Sequence, residues 1–234
     1  MREIIFDTET TGLDPREDRV IEIGGIELVN RFPTGRSFHV YINPQGREVH
    51  AEALAVHGIS NADLAHKPIF ADIVEKFMAF IDEAHLVAHN ATFDINFINA
   101  EFARLGHPAI EPGRIVDTLL IARRKHPMGP NSLDALCRRY GIDNARRTKH
   151  GALLDSELLS EVYIELIGGK QAALGLEVAE RIAVEETRTE TATSVAARRP
   201  TPLPSRLSEV ELVAHRALVE GLGETAIWAR IAPE

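Results

Sequence analysis

Asp7 and Glu9 stand two residues apart in the stretch "REIIFDTETTG", directly after the apolar Ile4, Ile5 and Phe6. In a strand, residues i and i+2 project from the same face, so both carboxylates point the same way, in line with Ile5. Two like charges held that close repel, and carboxylates are rarely left unpaired in a core. A divalent cation resolves the conflict, because hard oxygen donors suit Mg²⁺ or Mn²⁺. A D-x-E pair taken alone is more often a solvated strand end, so further acids must converge on it. Asp94 lies in "HNATFD", in the first turn of an expected helix, where the helix dipole alone already favours an acid. His150 and Asp155 open and close "HGALLD". The histidine falls in a loop after the basic stretch "ARRTK", and the acid near the start of the last long helix.

The elements that must position these groups can be read from periodicity. Residues 2–7, about 19–28 and about 38–43 have strand patterns with short connections, which suggests an antiparallel meander. "EALAVHGIS" reads as a helical turn broken at Gly58, "IFADIVEKFMAFID" as an amphipathic helix and "HLVAHN" as a buried strand. "TFDINFINAEFARLG" is expected to be a helix capped by Thr92 and stopped before Gly106. "RIVDTLLIARRKHP" reads as a short strand turning into a helix. "NSLDALCRRYG" reads as a helix capped by Asn131 or Ser132, and "ALLDSELLSEVYIELIGG" as the last long helix. The expected fold class is α/β: a mixed sheet, with a three-stranded antiparallel meander plus parallel strands, flanked by helices.

The chain has 234 residues, enough for one domain with a good core plus an appendage. No run of about 18 apolar residues suggests a membrane span, and nothing at the start resembles a signal peptide. Cys137 is the one cysteine, so an intrachain disulfide and a thiolate metal site are excluded. These features suit a cytoplasmic protein. A net charge of −9 argues against tight unaided binding to nucleic acid.

"FDTETTG", "HNATFD" and "HGALLD", in this order and spacing, resemble the three exonuclease motifs of the DEDD superfamily. The histidine five residues before the last acid marks the DEDDh branch. The likeness spans residues 2–170 and implies a ribonuclease-H-like fold. "VHGIS" and "NSLDALCRRYGI" are similar to the proofreading, epsilon-type branch that serves bacterial replicative DNA polymerases. The resemblance implies that Asp7, Glu9, Asp94 and Asp155 hold two Mg²⁺ or Mn²⁺ ions and that His150 is the general base. It implies a 3′→5′ exonuclease releasing nucleoside 5′-monophosphates from mispaired, single-stranded DNA ends. A freestanding DEDDh exoribonuclease and a non-catalytic adaptor are the alternatives. The catalytic set does not separate the first, whereas the intact acids and His150 argue against the second.

Softer expectations attach to the neighbours. His57 and Phe93 are candidates to stack on the terminal nucleotide, with helix or core packing as the equal alternative. Thr8, Thr10 and Thr11 offer backbone or hydroxyl contacts to a 3′ end. His89 and Asn90 are expected to support the site, and Asp117 to accept hydrogen bonds without binding metal. Arg138, Arg139, Arg146, Arg147 and Lys149 form a basic cluster, read either as a phosphate track or as a solvated face.

Residues 1–170 are thus the expected exonuclease domain. Residues 171–186 begin with "QAALGL", which resembles the sliding-clamp-binding pattern Gln-x-x-Leu-x-(Leu or Phe) through Gln171, Leu174 and Leu176. Residues 187–206, with Thr, Ala, Arg and three prolines, read as a flexible linker spanning roughly 25 Å on average. Residues 207–234 are helical in pattern, and the resemblance implies that they dock on the polymerase alpha subunit through apolar groups such as Leu207, Val210, Leu212, Val213 and Trp228.

Overall fold

The computed structural model describes residues 1–169 and 208–222. They belong to two separate compact units, and each is described by itself. The first unit holds a five-stranded sheet in the order β3-β2-β1-β4-β5. The strands are β1 (Arg2–Thr10), β2 (Val20–Val29), β3 (Phe32–Tyr41), β4 (His85–Ala88) and β5 (Ile115–Asp117). β1 pairs antiparallel with β2, and β2 with β3, while β1–β4 and β4–β5 are parallel. This is the expected mixed sheet, with the first strand of the chain at its centre.

Two strands differ from expectation. β1 continues to Thr10, so both acids lie inside the ladder, Asp7 opposite Gly24 and Glu9 opposite Glu22. β3 begins at Phe32 and ends at Tyr41, not at 38 and 43. The connection from β2 is the two-residue turn Asn30–Arg31, both with positive φ (52° and 71°). That primed geometry matches the twist of a tight hairpin. Pro33 and Gly35 look like turn residues, but β3 is an edge strand, where proline is tolerated.

The alternation of β1 assigns its residues to two cores. Ile4 and Phe6 pack with α3 (Phe70–Ile81) and α4 (Ala91–Arg104) on one side of the sheet. Ile5 packs on the other side with α5 (Thr118–Lys125), α6 (Leu133–Tyr140) and α7 (Ala152–Leu166). Asp7 and Glu9 follow Ile5 on the α7 side. Two short helices, α1 (Ala51–His57) and α2 (Asn61–Leu64), precede α3. α2 was not anticipated, although Ser60 and Asp63 form a capping box at its start. α4 is preceded not by Thr92 but by Asn90 as N-cap residue, in the left-handed conformation (φ 65°). Asparagine tolerates this region better than threonine does.

α7 lies so close over β2 that a Cβ at Gly24 would sit 2.2 Å from the backbone of Ala152 and Leu153. Ser156 Oγ donates to Gly24 O at 3.0 Å in the same contact. Gly24→Ala therefore forces a backbone shift. The expected cost is about 3 kcal/mol, or roughly 10 °C in Tm. A thermal melt at the wild-type temperature would show that α7 is not seated there.

In the second unit, α8 (Glu209–Gly221) starts with a capping box between Ser208 and Glu211. Val210, Val213 and Leu218 on it are exposed. The expected clamp-binding segment, the linker, Leu207 and Trp228 lie outside the described residues. Among the described residues, no helix is long and apolar enough to cross a membrane.

Candidate active site

The carboxyl end of the central strand β1 presents Asp7 and Glu9. Its parallel neighbour β4 leads through the Asn90 turn into α4, whose first turn brings Asp94 to the same place. Thr8, on the opposite face of β1 from Asp7, holds that acid: its backbone N–H and its hydroxyl both donate to Asp94 Oδ1, at 3.0 and 2.7 Å. α7 supplies Asp155 from its first turn. All four acids and His150 line one cleft of about 1230 Å³. Ligand atoms of Glu9, His150 and Asp155 lie within 4.8 Å of one another, and could share one metal ion.

The cluster is electrostatically strained. Burial, then Asp94, Glu9 and Asp155, push the Asp7 carboxyl well above the usual carboxylate range, with Arg147 acting in the opposite direction. Glu9 is pushed up to about 8, first by burial and then by Glu22, Asp155 and Asp94. Asp94 reaches about 7 because burial outweighs its hydrogen bonds from Thr8. Among the described residues, the buried Glu9 Oε1 has no hydrogen-bond partner. An orphaned oxygen among mutually repelling carboxylates is the donor set a hard divalent cation requires, so these residues fit one.

Arg147 was expected to track phosphates or face solvent with the other basic residues. Its side chain is instead only 6% exposed. It grips Asp155 with both arms, Nε to Oδ1 at 2.5 Å and Nη2 to Oδ2 at 2.6 Å, and reaches Asp134 Oδ2 at 2.9 Å. Arg146 remains exposed, as do Arg138, Arg139 and Lys149. The same Nη2 lies 3.0 Å from His150 Nδ1. A guanidinium only donates, so Nδ1 accepts and the ring proton of the neutral imidazole sits on Nε2. Burial, followed by Arg147, lowers the His150 pKa, which favours the neutral ring. The one ring lone pair of that tautomer is therefore engaged by Arg147.

Thr8, Thr10, His57, Asn90 and Phe93 all line the cleft. The Thr10 hydroxyl donates to Gly12 O at 2.6 Å, and Thr11 is fully buried with its hydroxyl on Asp18. His57 ends α1, and its Nδ1 accepts from Ile59 N–H at 3.0 Å. Its Nε2 has no partner among the described residues. The His150 loop is tied to the same helix by His150 N–H to Val56 O at 3.3 Å. Asp117 caps α5 by accepting from Leu119 and Leu120 N–H. Cys137 is buried, and burial pushes its thiol up to about 11.

Comparison with known proteins decides the family. The exonuclease family model RNase_T matches residues 4–163. The DNA polymerase III subunit epsilon of Salmonella typhimurium is 41% identical over 243 residues and is covered, like this chain, to 97%. The protein of the same name from Rickettsia conorii is 51% identical over 177 residues, 74% of this chain and 76% of its own. The chain belongs to the DNA polymerase III epsilon family of exonucleases. It is accordingly a 3′→5′ exonuclease of the proofreading type. Among solved structures, Exonuclease X in complex with 5′ overhanging duplex DNA is 26% identical, with a TM-score of 0.54 over 71% of this chain and 90% of its own. The nuclease domain of 3′hExo, a DEDDh family member, shares the fold at 16% identity and a TM-score of 0.58, covering 71% and 91%.

Exonucleases of this family use divalent metals, which gives the raised carboxyls a measurable consequence. Between the ordinary glutamate value of 4.5 and about 8, folded Glu9 holds a proton that the unfolded chain has lost. Stability of the metal-free epsilon-family fold therefore falls as pH rises through this window. In EDTA the Tm at pH 8 is expected to lie several degrees below that at pH 6, and millimolar Mg²⁺ to narrow the gap while releasing protons. A higher Tm at pH 8 in EDTA would contradict the arrangement. Arg147 and its partner Asp134 were missed as site residues because nothing in "ARRTK" separates the buried arginine from its exposed neighbour. The buried acid of "VIEIGG", Glu22, did carry a signal, as an acid inside an apolar strand.

Proposed function

We propose that Asp7, Glu9, Asp94 and Asp155 hold two Mg²⁺ or Mn²⁺ ions and that His150 is the general base for hydrolysis at the 3′ end of DNA. The observation that carries this reading is the convergence of four acids in one cleft, with Glu9 and Asp94 raised to about 8 and 7. When bound, divalent ions activate an attacking water and stabilise the leaving 3′-oxygen. Thr8 orients Asp94 through two hydrogen bonds, and Arg147 orients Asp155 through its forked pair. His57 and Phe93 form the apolar wall for the terminal base, while Thr8, Thr10 and Asn90 flank its sugar and phosphate. A mispaired end frays more readily, so a cleft that admits one strand selects it.

The family brings DNA and a replicative polymerase as partners. Residues 1–170 are the exonuclease domain in this reading, and 187–206 the linker. Residues 207–234 dock on the alpha subunit, as supported by the exposed Val210 and Val213 of α8. Gln171, Leu174 and Leu176 bind the sliding clamp. A chain of net charge −9 gains most from such tethers, which raise effective concentration to the millimolar order.

The test offers a 3′-mismatched primer–template, its paired control and a short RNA, each with Mg²⁺. Faster digestion of the mismatched end is expected. Strong preference for RNA would overturn the substrate. Truncation after residue 186 should leave hydrolysis intact and abolish polymerase binding. Loss of both would place the tail in the domain core.

A further inference from the structure

α7 carries Asp155 and begins two residues after His150, yet it brings no cap of its own. Its N-cap residue is Gly151, which has no side chain to accept from the first turn. The exposed backbone donors of a helix start need partners. Here one comes from another element: Glu22 Oε2, on β2, accepts from Ala152 N–H at 3.1 Å. Glu22 is 2% exposed and stands directly opposite Glu9 in the β1–β2 ladder, on the same face of the sheet. Its other oxygen, Oε1, is held by His39 Nε2 at 2.7 Å from the edge strand β3. Gly24, two residues on, opens the space for the start of α7.

We propose that Glu22 is a positioning residue of the nuclease site: it caps α7 from β2 and so fixes Asp155 and His150 against Glu9. The cap is a carboxylate at the positive end of a helix dipole, a favourable pairing. It ties the two halves of the site through a single side chain, because the strand that presents Glu9 is the partner of the strand that presents Glu22. Removing it leaves the first turn of α7 free to shift, while the apolar contacts of Leu158, Leu159 and Val162 continue to hold the helix body. This inference rests on the assignment of Asp155 and Glu9 as metal ligands.

The experiment compares Glu22→Ala, Glu22→Asp and Glu22→Gln with wild type in the full chain. Mn²⁺ affinity is read by electron paramagnetic resonance, and kcat and KM on a mismatched primer–template. Glutamine keeps the length and an oxygen that accepts from Ala152 N–H. Aspartate keeps the charge but falls one methylene short. Glu22→Ala and Glu22→Asp are expected to weaken Mn²⁺ binding and lower kcat by roughly 10–100-fold, with KM changed less than threefold, and Glu22→Gln to restore most of both. If Glu22→Ala does not fold, the aspartate–glutamine pair decides. Wild-type behaviour of Glu22→Asp, or a glutamine variant as poor as the aspartate one, overturns the cap. Asp155→Asn serves as control. If it binds Mn²⁺ like wild type, the ligand assignment itself fails. If it loses Mn²⁺ while Glu22→Asp does not, only the role of Glu22 fails.

Discussion

The double variant Asp7→Ala, Glu9→Ala will lose hydrolysis, with kcat/KM falling on the order of 10⁴-fold. The magnitude follows from the several kcal/mol a catalytic divalent ion supplies to a phosphoryl transition state, at a factor of ten per 1.36 kcal/mol. The same variant will be more stable than wild type when both are metal-free. Both carboxyls are raised by burial and by the other acids, so each costs the folded state free energy at neutral pH. A melt in EDTA at pH 8 should therefore show the inactive variant with the higher Tm. Activity and stability moving in opposite directions identify a site built against the preference of the fold, unlike a core substitution, which lowers both. Persistent degradation by the double variant would place the chemistry elsewhere.

Arg147→Ala acts in the reverse sense and is the most damaging single change expected for the metal-free protein. The guanidinium stands between Asp155 and Asp134, and its removal leaves Asp155 buried beside the other acids with no cation. Breaking one partner out of a buried ion pair costs about 3–5 kcal/mol, which for a domain of this size is roughly 10 °C in Tm. Lysine would recover only part, because a point charge cannot fork across both carboxylate oxygens. Millimolar Mn²⁺ should shrink the deficit by supplying positive charge at the same carboxylate. An EDTA melt of Arg147→Ala within 1 °C of wild type would sink the account. So would a deficit that Mn²⁺ leaves unchanged.

The parts of the site that were legible in the sequence are those where an acid interrupts a regular pattern. Asp7 and Glu9 break an apolar strand at spacing two, and that spacing alone places them on one face of the strand, in line with Ile5. Asp94 and Asp155 each fall in the first turn of a helix whose period was clear. What the sequence hid were relations across long separations. Glu22 and Ala152 are 130 positions apart, and Asp134 meets Arg147 only because α6 and the His150 loop pack together. The β2–β3 hairpin was misplaced because Pro33, Thr34 and Gly35 are typical turn residues, whereas Asn30–Arg31 makes the turn and includes an arginine at positive φ. The cap of α4 was misread because both Asn90 and Thr92 suit an N-cap, and only the left-handed turn out of β4 favours asparagine.

The order of these elements along the chain bears on synthesis. β1 is made first and lies at the centre of the sheet, but the edge it offers to β4 stays open until residue 85 has been made. The helix with Asp155 closes the site last. At 5–20 residues per second, that interval lasts roughly 10–30 s on the ribosome. In this order the acids of β1 and α4 are made before the helix that brings Asp155 over them. A fragment that ends before residue 150 carries Asp7, Glu9 and Asp94 and lacks both His150 and Asp155.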